Sequence, residues 1–194
     1  PGAFKKRVFA FVGRNGSGKE TAAKYMASAT QAESHTYSDI LQETFKLWGF
    51  EENSWHEMQE LSTFMRALKG QDCMAKVMVQ KCLRAKGGYV VIDGVRRIAD
   101  IDLLKETFGQ ENVILIWIDV AADLRYERLR QRKEKKGEQF MTRQLFDQQE
   151  QAESELQLDL VRAACHLTVD NNGTLHAFNE RLGTLFHDLV IGPC

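Results

Sequence analysis

Proline is almost missing from this chain of 194 residues, occurring only at Pro1 and Pro193. No proline-rich linker divides the sequence, so a single domain is expected. No run approaches the ~20 apolar residues that a membrane-spanning helix needs, and no membrane partner is expected. The formal net charge is only −1, which removes the bulk electrostatic reason to expect a nucleic-acid partner. The four cysteines, Cys73, Cys82, Cys165 and Cys194, form no C-x-x-C pair. The five histidines form no H-x-E or H-E-x-x-H spacing. A zinc site, a disulfide framework and zinc-dependent deaminase chemistry are therefore not expected. Reduced thiols in a cytoplasmic protein are the simpler reading. Lys5-Lys6-Arg7 before Val8–Val12 has the outline of a signal peptide, but the apolar run is too short for one.

What is present is an alternation. Val8–Val12, Tyr89–Ile92 and Val113–Ile118 are short apolar runs rich in β-branched or aromatic residues, as in strands buried on both faces. His35–Tyr37 and His166–Val169 are weaker candidates. Helical spacing fills the intervals at Glu20–Ala29, Asp39–Trp48, Trp55–Leu68, Cys73–Ala85, Ile98–Phe108, Ala121–Lys135, Thr142–Ala164 (with an interruption) and Thr174–Leu189. Such alternation predicts an α/β fold of three layers, a five-stranded parallel sheet covered by helices on both sides. A helical region at about 39–86 is an insertion in that pattern. The hydrophilic stretch around Lys133–Met141 marks a short lid at about 132–145. Trp48, Phe50, Trp55 and Phe64 are read as core or inter-helix packing rather than as a base-stacking set.

The strongest chemical signal follows the first strand: Gly13-Arg14-Asn15-Gly16-Ser17-Gly18-Lys19-Glu20-Thr21. It fits G-x-x-x-x-G-K between a strand and a helix. The glycines let several backbone N–H groups point into one concavity, and the helix start adds its positive dipole end. Lys19 supplies a mobile charge for the β- and γ-phosphates. ATP paired with magnesium suits such a cradle. The hydroxyl that follows the lysine in the general motif is displaced by one residue, from position 20, where Glu20 stands, to Thr21.

A second acid, Asp93, ends the strand Tyr89–Ile92 and opens Asp93-Gly94-Val95-Arg96-Arg97. The carboxyl end of a buried strand is where open α/β sheets bind ligands. Beside a phosphate loop such an Asp holds magnesium together with Thr21, directly or through water. The arginines can fork onto phosphate oxygens. After the strand Val113–Ile118, Arg125, Arg128 and Arg132 recur at helical spacing on one face. A solvated basic helix paired with Glu127 and Glu134 is the plainer account of the same residues.

These segments together resemble the P-loop nucleoside and deoxynucleoside monophosphate kinase superfamily, including its adenylate-kinase-like and dephospho-CoA-kinase-like group. The phosphate loop resembles the family form with a late Thr, here with Asn15 and Glu20 where that form has proline and glycine. Asp93-Gly-Val-Arg-Arg97 resembles its D-G-[FY]-P-R segment without the proline, so Arg96 and Arg97 are both candidates for the acceptor phosphate. Arg128 and Arg132 match an R-L-x-x-R segment that opens the lid and brings arginines to the transferred phosphate. Tyr37-Ser38-Asp39 and Arg66-Ala-Leu-Lys-Gly70-Gln-Asp72 resemble acceptor-binding segments. The resemblance thus implies Asp39 and Arg66 as acceptor-site residues, although an N-cap role serves Asp39 as well. Asn172-Gly173-Thr174-Leu175 resembles the segment that borders the adenine, with a Gly-Thr helix cap as the structural alternative.

The resulting expectation is an ATP- and magnesium-dependent phosphotransferase. It would move the γ-phosphate to a small nucleotide acceptor, first of all a (deoxy)nucleoside monophosphate. Dephospho-CoA-kinase-like activity and a nucleotide-binding regulatory module with little turnover are the alternatives. An NTPase acting on nucleic acid is disfavoured by the lack of a basic patch with interleaved aromatics.

Overall fold

A computed structural model of the protein describes residues 6–51, 53–132, 142–151 and 157–192, the Arg132 side chain excepted. Five strands run in parallel: β1 (Arg7–Val12), β2 (Glu33–Thr36), β3 (Tyr89–Asp93), β4 (Val113–Asp119) and β5 (Leu167–Asp170), in the spatial order β2-β3-β1-β4-β5. All five strand expectations hold, with ends shifted by one or two residues. β1 is central because its side chains are apolar on both faces. Val8, Ala10 and Val12 enter one core, and Phe9 and Phe11 enter the other. Full burial of each phenylalanine contributes about 1.5–3 kcal/mol.

The helices are α1 (Lys19–Thr30), α2 (Tyr37–Leu47), α3 (Trp55–Lys69), α4 (Cys73–Arg84), α5 (Ile98–Phe108), α6 (Ala122–Arg132), α7 (Arg143–Glu150), α8 (Leu158–Ala163) and α9 (Leu175–Phe186). On one face of the sheet, α2, α4, α5 and α8 bury Ile40, Met78, Leu104 and Val161 with the first core. On the other face, α1 and α9 bury Met26, Phe178 and Leu182 with the second. A short π-helical turn, His187–Ile191, extends α9.

Local chemistry explains several boundaries. Ser54 caps α3 in a reciprocal box: its Oγ accepts from Glu57 N at 3.2 Å, and Glu57 Oε2 accepts from Ser54 N at 2.6 Å. Thr174 Oγ1 accepts from Ala177 N at 3.2 Å, so the Gly-Thr segment does cap α9. Within the expected interrupted helix 142–164, the described residues form α7 and α8, and residues 152–156 lie outside the described residues. Within the expected lid, residues 133–141 lie outside the described residues.

One packing expectation is overturned. Trp48, Phe50 and Phe64 are 65%, 56% and 61% exposed, so they are not core. They follow or sit on α2 and α3, which turn other faces inward, with Ile40 and Met58 buried. A helical hairpin lying over the sheet edge has more apolar positions than it has inner surface. Among the described residues, no helix is long and apolar enough to cross a membrane.

Candidate functional site at the carboxyl edge of the sheet

Parallel strands bring their carboxyl ends to one edge. Phe11 pairs in register with Asp93, and Asp119 with Asp170. The loop after β1 therefore opens beside the carboxylate that ends β3. Gly16 and Gly18 have φ of +79° and +89°, a region that side chains disfavour. They also have no room for one: a Cβ at Gly16 would sit 2.9 Å from the Arg125 carbonyl, and at Gly18 2.6 Å from Asn171 Nδ2. The N-terminus of α1 begins directly at Lys19.

The loop opens on a cavity of about 360 Å³. On the phosphate-loop side its wall includes Gly16, Gly18, Lys19, Glu20 and Thr21. Asp93, Arg96 and Arg97 line it from the end of β3, and Arg128 from α6. Helices α2 and α3 close the far side with Ser38, Leu41, Trp55, Met58, Gln59 and Arg66. The structure thus gathers Lys19, Thr21, Asp93, Arg66, Arg96, Arg97 and Arg128 around one volume.

Several residues are committed in ways the sequence did not reveal. Arg66 is buried and holds Asp100 through two bonds of 3.1 Å, and it also donates to the Gln71 carbonyl. Burial pushes the Asp100 carboxyl up, and the Arg66 and Arg97 guanidiniums partly offset this. Arg125 does not share a free face with Arg128; it forms a bidentate pair with Glu150 at 2.8 and 2.6 Å. Arg128 donates through Nη2 to the Asn171 carbonyl at 2.9 Å. Its Nη1 is buried without a hydrogen-bond partner among the described residues, and burial lowers its pKa.

Other expected site residues lie elsewhere. Asp39 is exposed in the first turn of α2 and does not line the cavity. Thr36, not Asp39, occupies the N-cap position. Arg14 turns away to Asp159 of α8 at 2.8 Å. Asn172 accepts from Ala121 N at 2.8 Å and donates to Asp170 at 2.5 Å, in an exposed loop outside the cavity. Gly173 neighbours Ala177 and Arg181 in the same loop. The neighbouring Asn171, not singled out from the sequence, is the buried member of this segment. It donates to the Ser17 carbonyl.

A family model described as an AAA domain matches residues 10–155, from within β1 to beyond α7. The chain belongs to that family. This AAA domain is also similar to a UPF0200/UPF0201 protein of Archaeoglobus fulgidus, 28% identical over 178 residues, 91% of this chain and 54% of that protein. A UPF0200 protein of Methanosarcina barkeri is 26% identical over 176 residues, 90% of this chain and 91% of that one. The chain spans about half the length of the Archaeoglobus relative and nearly all of the Methanosarcina one. Among solved structures, shikimate kinase from Acinetobacter baumannii in complex with shikimate matches with a TM-score of 0.55 at 14% identity, covering 97% of this chain and 96% of that one. Shikimate kinase from Bacteroides thetaiotaomicron matches with a TM-score of 0.58 at 13% identity, covering 95% and 98%. At these identities the likeness concerns the fold, which is that of a P-loop kinase.

The hydroxyl of Thr21 and the carboxylate of Asp93 line the same cavity as Lys19. Hard oxygen donors of this kind suit magnesium, which retains waters and takes further oxygens from phosphate. No group of three or more His, Cys, Asp or Glu that could hold a metal occurs among the described residues.

Proposed function

We propose that this protein is an ATP- and magnesium-dependent phosphotransferase whose acceptor is a small nucleotide carrying its own phosphate, first of all a (deoxy)nucleoside monophosphate. One observation carries the reading: the charge that lines the cavity adjoining the phosphate loop. Lys19, Arg96, Arg97 and Arg128 line it against the carboxylate Asp93, beside Lys24 and Arg66, which are paired with Glu20 and Asp100. A basic excess next to a triphosphate loop favours a second anionic ligand.

The same lining separates two acceptor chemistries. A hydroxyl acceptor needs a group to take its proton. A phosphate acceptor brings an anionic oxygen that can attack without one. Glu20 is paired with Lys24 at 2.7 Å, Asp93 is the carboxylate suited to magnesium, and Asp39 lies outside the cavity. That distribution supports the monophosphate over dephospho-CoA, whose reacting group is a hydroxyl.

In this reading the backbone amides of residues 16–19 and Lys19 hold the β- and γ-phosphates. Thr21 and Asp93 would hold the magnesium ion, which when bound offsets phosphate charge. Arg96 and Arg97 hold the acceptor phosphate, and Arg128 meets the charge that develops on the transferred group. Apolar contacts with Leu41, Trp55 and Met58 seat the rest of the acceptor and keep water away.

The test is a screen of ATP and magnesium against all ribo- and deoxynucleoside monophosphates and dephospho-CoA, following phosphate onto the acceptor. Transfer to one or a few monophosphates, lost by about 10³-fold in Lys19→Met, is the expected result. Transfer to dephospho-CoA alone, or ATP hydrolysis that no acceptor stimulates, would overturn the acceptor assignment.

A further inference from the structure

Glu150, the last residue of α7, stands beside the phosphate loop without lining the cavity. Its two carboxylate oxygens accept from both terminal nitrogens of Arg125, at 2.8 and 2.6 Å. Arg125 is only 3% exposed. Its Nη1 also donates to the carbonyl of Asn15 at 3.3 Å, inside the phosphate loop. The backbone of the same arginine forms the wall against which Gly16 packs. On the other side, Arg14 of the loop lies 3.8 Å from Glu150 and is paired with Asp159. Two arginines that fix the loop thus converge on one carboxylate. Phe146, buried against Leu129 and Tyr126, supports the arrangement, with the Arg125 guanidinium 5.3 Å from its ring centre.

The energetics give Glu150 this role rather than Arg125 alone. A guanidinium this deeply buried needs a charge partner, since an unpaired buried charge is strongly destabilising. Without Glu150, Arg125 must leave for solvent, and the Asn15 carbonyl loses its donor. Arg14 would keep only Asp159, whose side chain is 70% exposed and so holds it weakly. The amides of the loop recognise phosphate only if their directions are fixed. Small displacements at such a site cost far more than the bond that caused them.

We propose that Glu150 is a positioning residue for the phosphate loop: it fixes Arg125 and Arg14, and through them the backbone of Arg14–Gly16 that is to receive the phosphates. The ligand half of this inference rests on the triphosphate reading above; the structural half does not. Three proteins test it: the wild type, Glu150→Gln, and Arg125→Met/Glu150→Met. The double variant replaces a buried ion pair by apolar side chains, a change that is commonly near neutral for folding.

The first measurement is amide hydrogen exchange of the unliganded proteins. Exchange across residues 13–19 should quicken about tenfold in the double variant, with residues 89–93 unchanged. Glu150→Gln, which keeps one acceptor, should fall between the two. The second is titration with ATP and magnesium, in which the dissociation constant should rise about tenfold in the double variant. In turnover assays the KM for ATP should rise while the acceptor KM stays put, a split that general destabilisation would not produce. Unchanged loop exchange in folded variants would overturn the proposal. If the double variant does not fold, the same readings on Glu150→Gln decide. A wild type that binds no ATP would sink the functional reading, and exchange in the unliganded proteins would still decide the role of Glu150.

Discussion

Asn171 donates through Nδ2 to the carbonyl of Ser17 at 2.8 Å, so the end of β5 holds the phosphate loop from behind. Asn171 is itself fixed by further bonds, from its N to the Asp119 carbonyl and from Arg128 Nη2 to its own carbonyl and, at 3.5 Å, to its Oδ1. Asn171→Asp keeps the size and turns the donor into a carboxylate facing a carbonyl. We expect destabilisation of about 1–3 kcal/mol, because a buried polar group loses its partner. Affinity for ATP should fall about tenfold with it. Thermal unfolding and calorimetric titration check both; an unaltered variant would mean that this bond does not hold the loop.

Arg66 and Asp100 tie the acceptor-side helix α3 to α5. Asp100→Ala should cost about 3–5 kcal/mol, because it leaves the Arg66 guanidinium buried without its charge partner. Arg66→Met/Asp100→Leu should recover most of that loss. The guanidinium is already spent on Asp100 and the Gln71 carbonyl, so the acceptor KM in the double variant should stay within about threefold of wild type. Denaturant unfolding and acceptor kinetics are the measurements. A much larger rise in acceptor KM would return Arg66 to the acceptor site.

The contrast between Arg66 and Lys19 indicates what the sequence can reveal. Lys19 is legible because a phosphate loop is a local object, with strand, glycines, lysine and helix contiguous in the chain. The strands β1, β3 and β4 are legible for a similar reason, since burial on both faces needs unbroken apolar runs, whereas the half-exposed edge strands β2 and β5 left only a weak pattern. Arg66–Asp100 and Arg125–Glu150 are pairs across 34 and 25 positions, and nothing in the local pattern chooses those partners. Periodicity put Arg125 on the face of Arg128, and only the packing of α7 on α6 shows that it is spoken for. Asn171 escaped notice because the resemblance pointed to the next two residues, which the structure finds on the surface. The exposed Trp48, Phe50 and Phe64 mark the opposite limit, since apolar identity alone does not say which way a helix faces.

Two imidazoles set a pH dependence. His166 Nδ1 accepts from Leu115 N at 2.9 Å, which requires a neutral ring at that nitrogen. Burial, with Lys105 nearby, lowers its pKa, and burial likewise lowers that of His35. The folded protein therefore binds these protons less readily than the unfolded chain. Stability is fully present above pH ~6.5 and is lost as pH falls through the lowered folded values. Asp100, whose pKa is raised, acts with the opposite sign, so variants are compared at each pH. His166→Gln keeps an acceptor and cannot be protonated. It should flatten the decline in unfolding free energy between pH 7 and 5, measured by denaturant titration; an identical slope would clear His166 of any role in it.

Asp93 ends β3 beside Lys19 and Thr21 in the cavity wall. Asp93→Asn keeps the volume and removes the charge. Turnover should fall roughly 10²–10³-fold, by the measure of one lost charge stabiliser. ADP affinity without metal should not fall, while the gain in affinity on adding magnesium should largely vanish. Calorimetry with and without magnesium separates the two. A variant that keeps the full magnesium effect would leave Asp93 as a structural strand end.

Arg128 offers the sharpest separation of stability from catalysis. Its Nη2 is used by the Asn171 carbonyl, while its buried Nη1 has no hydrogen-bond partner among the described residues. A buried donor without an acceptor costs stability, and burial also depresses the guanidinium pKa. A resting protein gains little from such a group, whereas a negatively charged oxygen in the cavity would give Nη1 the partner it lacks. Arg128→Met keeps the apolar stem and deletes both the charge and the orphan donor. Its thermal midpoint should match or exceed that of the wild type, because the lost Asn171 bond is offset by the removed burial cost. Its turnover should fall about 10³-fold with ATP affinity within about threefold, the signature of a contact made in the transition state. A destabilised Arg128→Met protein that keeps its turnover would make the guanidinium a strut for Asn171 and nothing more.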